Sequence, residues 1–348
     1  MTRIPTRESQ SGWPTCTVVI CTRNRPQQLD ACVTAVLAQS YPKFDVLIVD
    51  NASRDSRSIE IAARHGVRCV EEARVGASYA RNRGAAEAGA AEVLAYIDDD
   101  AEPEDGWLEG LIAEFKDRRV MCVVGRILPI DVNTEGSRMC IALGILDGGI
   151  RRFEVDNDSP DWFAAMRGGL GGAANMALRR AVFHEWPGFD PRLGRGSDLG
   201  GGEEDYAYLS FIKRGYRVVY APNAIARHPF PATIPELRAN HLHTLKTSTA
   251  VLAFMFVEEP GLRAAILRHA LLRMPRRQRR SFQRAPVEAR RLSSAWREAL
   301  AALRGVAVFV LSVRGRRKVQ ARPIPADAAS PNPVGAPTAT RAGGRIDS

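Results

Sequence analysis

Apolar residues come in short unbroken runs, each closed by a polar cluster, and between the runs they recur every three or four positions. Unbroken runs predict strands buried on both faces; the three-to-four spacing predicts amphipathic helices. Thr17 to Cys21 is the first strand, and Pro26 opens a helix with Leu29, Cys32, Val33, Val36 and Leu37 on one stripe. Val46 to Val49 is a second strand, ending at Asp50. A helix from about Ser56 stops at Gly66, a C-cap, before a third strand, Val67 to Val70, ending at Glu71. A helix over roughly Ser78 to Ala88 leads into Val93 to Ile97, and Trp107 to Phe115 leads into a strand around Val120 to Val124. This alternation predicts an α/β fold: a Rossmann-like, mostly parallel sheet with helices on both faces.

Ligands of such sheets bind where the loops gather at the carboxyl ends of the strands. Thr22-Arg23-Asn24-Arg25 follow strand one, Asp50-Asn51 strand two, Glu71 to Arg74 strand three and Asp98-Asp99-Asp100 strand four. Three carboxylates ending an apolar strand need water, a cation or strong donors. Their oxygens suit a hard divalent ion such as Mg²⁺ or Mn²⁺ that also takes phosphate oxygens. The alternative is a solvated turn before a helix capped by Asp105. The loop after strand one has no glycine, so neither a dinucleotide fingerprint nor a P-loop is present. A nucleotide here would be held by metal and side chains.

Charge sharpens the picture at the other end of the chain. The 348 residues net +10, but residues 261–320 carry sixteen Lys or Arg against Glu288 and Glu298, a local +14 that leaves −4 for the remainder. That segment calls for an anionic partner, a membrane leaflet or nucleic acid. Six cysteines without a C-x-x-C pair read as reduced core residues, and the polar stretch from Met1 to Pro14 lacks a secretory apolar core.

An ordered set of motifs resembles family 2 glycosyltransferases of the GT-A fold. It comprises Thr22-Arg23-Asn24-Arg25-Pro26, Val49-Asp50-Asn51-Ala52-Ser53, Gly76 with Ala80-Arg81-Asn82-Arg83-Gly84, and Asp98-Asp99-Asp100 with Pro103 and Trp107-Leu108. It continues through Gly171 to Arg179, Gly188-Phe189-Asp190, Gly201-Gly202-Glu203-Glu204-Asp205, Gly215 to Pro222 and His228. The resemblance implies a GT-A catalytic domain over 15–230, with a nucleotide-binding half 15–125 and an acceptor half 126–230. A flexible tail 1–14 would precede it, and a basic helical extension 231–320 and a disordered tail 321–348 would follow.

The resemblance also implies roles. Asp50 would read the nucleotide base, with Thr22, Arg25 and Arg81 lining the same pocket. Asp98 would contact the ribose, Asp99 the nucleotide sugar, and Asp100 the metal, Mn²⁺ or Mg²⁺, with Asp98 completing a D-x-D pair. His228 would add a metal ligand or serve the fold. Asp205 of the Glu204-Asp205 pair would be the base for an inverting single displacement, with Glu203 an extra acid beside it; the alternative is that these are helix N-terminal acids on the dipole. Gly172 in the Gly168 to Gly172 stretch would let sugar approach, Asn175 would hydrogen-bond it, and Trp162 would stack on it or simply pack.

Beyond residue 230, Leu300 to Val313 is apolar but broken by Arg304, and it is flanked by Arg290, Arg291, Arg297, Arg314, Arg316, Arg317 and Lys318. Such a stretch fits an interfacial helix on an anionic leaflet or an amphipathic helix packed on the catalytic domain. His241-Leu242-His243 has no helical metal spacing. The expected enzyme takes a nucleotide-diphosphate sugar donor and a glycan or lipid-linked acceptor in bacterial cell-surface synthesis, in the cytoplasm or peripherally at the inner face of the plasma membrane. Two other classes compete: a non-catalytic sugar-nucleotide or glycan-binding module, and a nucleic-acid-binding protein using the basic arm. The arm has few interleaved aromatics, so no nucleic acid is expected.

Overall fold

The computed structural model describes residues 12–145, 147–168, 170–272 and 293–314. The expected tail 321–348, most of the tail 1–14, and Arg290, Arg291, Arg316, Arg317 and Lys318 lie outside them. Among the described residues the order is β1 (Cys16–Thr22), α1 (Pro26–Leu37), β2 (Phe44–Asp50), α2 (Arg57–His65), β3 (Arg68–Glu71), α3 (Ala77–Glu87), β4 (Val93–Asp98) and β5 (Glu102–Pro103). It continues with α4 (Trp107–Ile112), β6 (Val120–Pro129), α5 (Glu135–Leu143), β7 (Phe153–Val155), α6 (Trp162–Arg167), β8 (Asn175–Arg179) and α7 (Glu203–Lys213). The last elements are β9 (Arg217–His228), α8 (Ile234–Glu258), α9 (Arg263–Leu272) and α10 (Ala295–Arg314).

These strands form one sheet in the order β3-β2-β1-β4-β8-β6-β9-β5, with β7 paired to β9. The first four are parallel, as the alternating pattern predicts. Their runs are apolar on both sides because both sides are covered. Val19, Leu47, Val49, Leu94 and Tyr96 pack in one core with α3, α7 and α8; Val18, Ile20, Ile48, Ala95 and Ile97 pack in the other with α1, α2 and α4. Gly84 in α3 has its reason here: a Cβ would stand 2.4 Å from Val19 Cγ1, so only glycine lets this helix lie so close to β1.

Two departures from the sequence reading position the site. Strand β8 enters antiparallel between β4 and β6, pairing Ile97 with Asn175. The fifth strand expected over Val120 to Val124 runs on to Pro129 as β6, because its partner β9 is itself long and holds it in register to Pro129↔His228 across an irregularity at Gly125. A 25-residue α8 follows, opened by Pro235 and a Thr233/Glu236 capping box, and α10 packs along it.

Candidate active site

Parallel register sets the polar ends side by side. Thr22 is level with Asp50, Asp50 with Glu71, and Cys21 with Asp98. The three aspartates then divide by side-chain direction. Asp99 is buried; it accepts from Thr22 Oγ1 at 2.8 Å and from Arg25 Nη1 at 3.1 Å. Burial pushes its carboxyl up against the opposing pull of Thr22 and Arg25. Arg25 Nη1 also reaches Asp100 Oδ2 at 2.7 Å. Thr22, Arg25 and Asp99 therefore brace the loop from within.

Asp98 and Asp100 meet His228, which comes in at the end of β9. One ligand atom from each of the three lies within 4.8 Å of the others. His228 Nε2 is 3.1 Å from Asp100 Oδ1 and 3.9 Å from Asp98 Oδ2, while Nδ1 lies 2.8 Å from the Pro229 carbonyl oxygen. A carbonyl only accepts, so Nδ1 carries a proton and Nε2 is the atom offered to the cluster. Burial disfavours charge on both groups, yet their mutual attraction outweighs it: His228 titrates above its usual range and Asp100 below, the latter helped by Arg25 and Arg195. Asp100 Oδ1 is nonetheless buried without an aligned hydrogen-bond donor. A buried carboxylate oxygen beside a second carboxylate and an imidazole nitrogen is a donor set that fits Mn²⁺ or Mg²⁺.

Across the cleft, α7 begins with Glu203, Glu204 and Asp205. Gly202 stands at φ 83°, where a Cβ would come within 2.4 Å of Val251 Cγ2, so glycine lets the start of α7 press onto α8. Buried Arg81 ties the two halves together. Its Nη1 donates to Glu203 Oε1 at 2.5 Å and its Nη2 lies 3.6 Å from Asp98 Oδ1. Asp205 is ion-paired with Arg167, whose Nη2 also donates to Ser248 Oγ at 2.5 Å. Glu204 has no ion-pair partner among the described residues, and a Cβ on Gly172 would lie 3.9 Å from its Oε1. Burial, then the neighbouring Glu203 and Asp205, hold the Glu204 carboxyl well above its ordinary range against the pull of Arg81. Burial also raises Asp205, with Arg167 opposing.

Asp50, Asn175 and Trp162 are each engaged by the surrounding fold. Asp50 is buried, taking Ser53 N–H at 2.8 Å and the Ser58 hydroxyl, so it shapes the loop into α2. Asn175, expected to touch sugar, is wholly buried. Its amide donates to the Arg126 and Ala224 carbonyls and accepts from Trp107 Nε1 at 2.7 Å, leaving no group for a sugar. Trp162 packs edge-on to Phe163 at 6.0 Å against the core. Sequence reasoning missed Arg167 and Arg195. The Arg195 carbonyl takes the Ala77 N–H at 2.9 Å, and a Cβ on Gly196 would meet Gly76 Cα at 3.0 Å, so this glycine-rich loop is seated on the start of α3. The glycines at 194, 196, 200, 201 and 202 were the available signal.

Residues 17–183 match the family model for glycosyl transferase family 2. The glucosyl-dolichyl phosphate glucuronosyltransferase of Haloferax volcanii is 29% identical over 224 residues, which cover 61% of this chain and 68% of that protein. The glycosyltransferase AglE of the same organism is 32% identical over 125 residues, 34% of this chain and 40% of its own length. The pre-mycofactocin glycosyltransferase of Mycobacterium tuberculosis is 28% identical over 218 residues, and the match spans only 42% of that protein. Among solved structures, the mannosyltransferase PcManGT of Pyrobaculum calidifontis, determined with GDP-Man and Mn²⁺, superposes with a TM-score of 0.55 over 88% of this chain and 87% of its own. At 16% identity that likeness shows the fold. On a GT-A sheet, residues 17–183 of this chain form a domain of glycosyl transferase family 2.

Proposed function

We propose that this enzyme is a divalent-metal-dependent, inverting glycosyltransferase that moves a sugar from a nucleotide-diphosphate donor to a hydroxyl of a lipid-linked or glycan acceptor in bacterial cell-surface synthesis. The carrying observation is the meeting of Asp98, Asp100 and His228, which bring two carboxylates and an imidazole nitrogen within 4.8 Å of one another at a half-buried strand end. The relative that acts on a dolichyl phosphate and the fold neighbour solved with GDP-Man and Mn²⁺ support the same reading. A divalent ion held by Asp98, Asp100 and His228 would neutralise the departing diphosphate.

The chain's own residues do the rest. Thr22, Arg25 and Asp99 fix the strand end so that Asp98 and Asp100 present their oxygens together. Arg81 keeps Asp98 at a set distance from the first turn of α7. Asp205, the acid expected to act as base, is occupied by Arg167, whereas its neighbour Glu204 faces Gly172, and burial and the adjacent acids raise its pKa and so make its ionised form the stronger base. Glu204 therefore takes the acceptor proton as the hydroxyl oxygen bonds to the anomeric carbon. The bond from that carbon to the diphosphate oxygen breaks on the opposite face, which inverts the configuration.

The test is steady-state transfer by Glu204→Gln and Asp205→Asn. Glu204→Gln should lose roughly 10²–10⁴ in kcat with donor affinity unchanged, the range of a lost general base. Asp205→Asn should retain more activity than Glu204→Gln. An active Glu204→Gln beside an inactive Asp205→Asn would return the base to Asp205.

A further inference from the structure

Helix α10 is turned the opposite way from an ordinary surface helix. It packs on α8 through Ala301, Gly305 and Phe309, and a Cβ on Gly305 would stand 2.2 Å from the Lys246 carbonyl oxygen. At about 3.6 residues per turn, that inward stripe fixes the outward one. Trp296, Leu300, Leu303, Val306, Val310 and Leu311 occupy it, and all are exposed: Trp296 at 63%, Leu303 at 67% and Leu311 at 68%. A soluble helix puts its large apolar residues against the protein and polar ones outside. Here small residues make much of the packed stripe, and the open one carries large apolar side chains.

The charged side chains that α10 brings to that face are of one sign: Arg297 and Arg304 are exposed on its border. The helix's one acid, Glu298, is turned away to His241, 3.2 Å distant. No helix among the described residues is long and apolar enough to cross a membrane, and one side of α10 is already taken by α8. A second copy of the chain would bring the same arginines against themselves. An apolar stripe bordered by the arginines of its own helix complements a surface that is apolar beneath and anionic above.

We propose that this face docks on an anionic lipid leaflet. Helix α10 lies in the plane of the interface, with Trp296, Leu303 and Leu311 at the boundary of headgroups and acyl chains, and Arg297 and Arg304 against the headgroup phosphates. The contact holds whether or not the cleft turns over substrate.

The experiment is co-sedimentation of the full chain with phosphatidylcholine vesicles, with and without phosphatidylglycerol, across a salt series. The expected result is binding to the phosphatidylglycerol vesicles that weakens as salt rises, with little binding to phosphatidylcholine alone. Leu303→Glu with Leu311→Glu should lower the partition coefficient by about tenfold or more per residue. Arg297→Gln with Arg304→Gln should lower it by roughly fivefold per residue and flatten the salt dependence. These side chains lie outside the core and the cleft, so thermal stability and nucleotide binding stay at wild-type values in both variants. Binding unaltered by Leu303→Glu with Leu311→Glu, equal binding to both vesicle types, or none to either would overturn the proposal. So would a dimer in sedimentation velocity that Leu303→Glu dissolves, which would give the face to a second copy. Each readout is independent of sugar transfer, so its failure leaves the glycosyltransferase reading standing.

Discussion

Arg81 is the residue on which both halves of the cleft depend, and Arg81→Met measures how much. Arg81 is 7% exposed and Glu203 is 5% exposed, with 2.5 Å between Nη1 and Oε1. Burial opposes its charge, but Glu203 and Asp98 overcome that and keep the arginine firmly protonated. Methionine has similar length and keeps the packing against Phe189, so what is lost is the cation. A buried carboxylate stripped of its partner costs about 3–5 kcal/mol. In a domain of this size that corresponds to a fall of roughly 5–15 °C in Tm. The assay is thermal unfolding of Arg81→Met, Glu203→Leu and the double variant as a cycle. The double variant should recover most of the stability because no buried charge is left over. It should not recover transfer, because Asp98 remains without its neighbouring cation. An Arg81→Met protein that melts within about 2 °C of wild type, or single effects that simply add, would refute a buried bridge between the halves.

Linkage at Glu204 gives a second expectation. Its folded pKa is raised above the ordinary glutamate value, so between the unfolded and the folded pKa the folded state holds a proton that the unfolded chain has released. Stability from this group is present below the unfolded value and lost as pH rises through the folded one. Glu204→Gln should therefore melt higher than wild type at neutral pH while transferring less, and a lower melting temperature there would contradict the assignment. In the wild type, the acidic limb of the kcat profile should lie above the ordinary glutamate range; a limb at that range would mean another group is the base. Asn175→Ala should cost about 2–4 kcal/mol, since it leaves buried carbonyls and the Trp107 indole N–H unpaired. Acceptor KM in the surviving fold should be unchanged, and a selective rise in KM with full stability would restore Asn175 as a sugar contact.

How far the sequence could be read follows from how local each cause is. Strands β1, β2 and β4 and their polar ends were legible because each is a nearly continuous apolar run, β3 because it follows the Gly66 cap, and parallel register lines up whatever follows each strand. Strand β8 was not, since Asn175 to Arg179 is only five residues and sits inside a glycine-rich motif. Its antiparallel insertion depends on β6 and β9 arriving from elsewhere. Asp98 and Asp100 could be singled out from their position at a strand end, but His228 reaches them only through the long β6/β9 pairing. The partners of the acids at the start of α7 were invisible for the same reason. Arg81 is 122 residues from Glu203 and Arg167 is 38 from Asp205, and nothing in an arginine's local sequence says which carboxylate it will meet. Asn175 looks like any polar residue until its three internal hydrogen bonds are seen.

The most direct test of the account is calorimetric titration of the protein with UDP, GDP and dTDP, each in Mn²⁺ and again in EDTA, alongside Asp100→Ala. At least one nucleotide should bind in Mn²⁺, EDTA should remove the binding, and Asp100→Ala should remove it while the fold persists. Nucleotide binding of equal strength in EDTA, or in Asp100→Ala with Mn²⁺, would contradict a metal site at Asp98, Asp100 and His228.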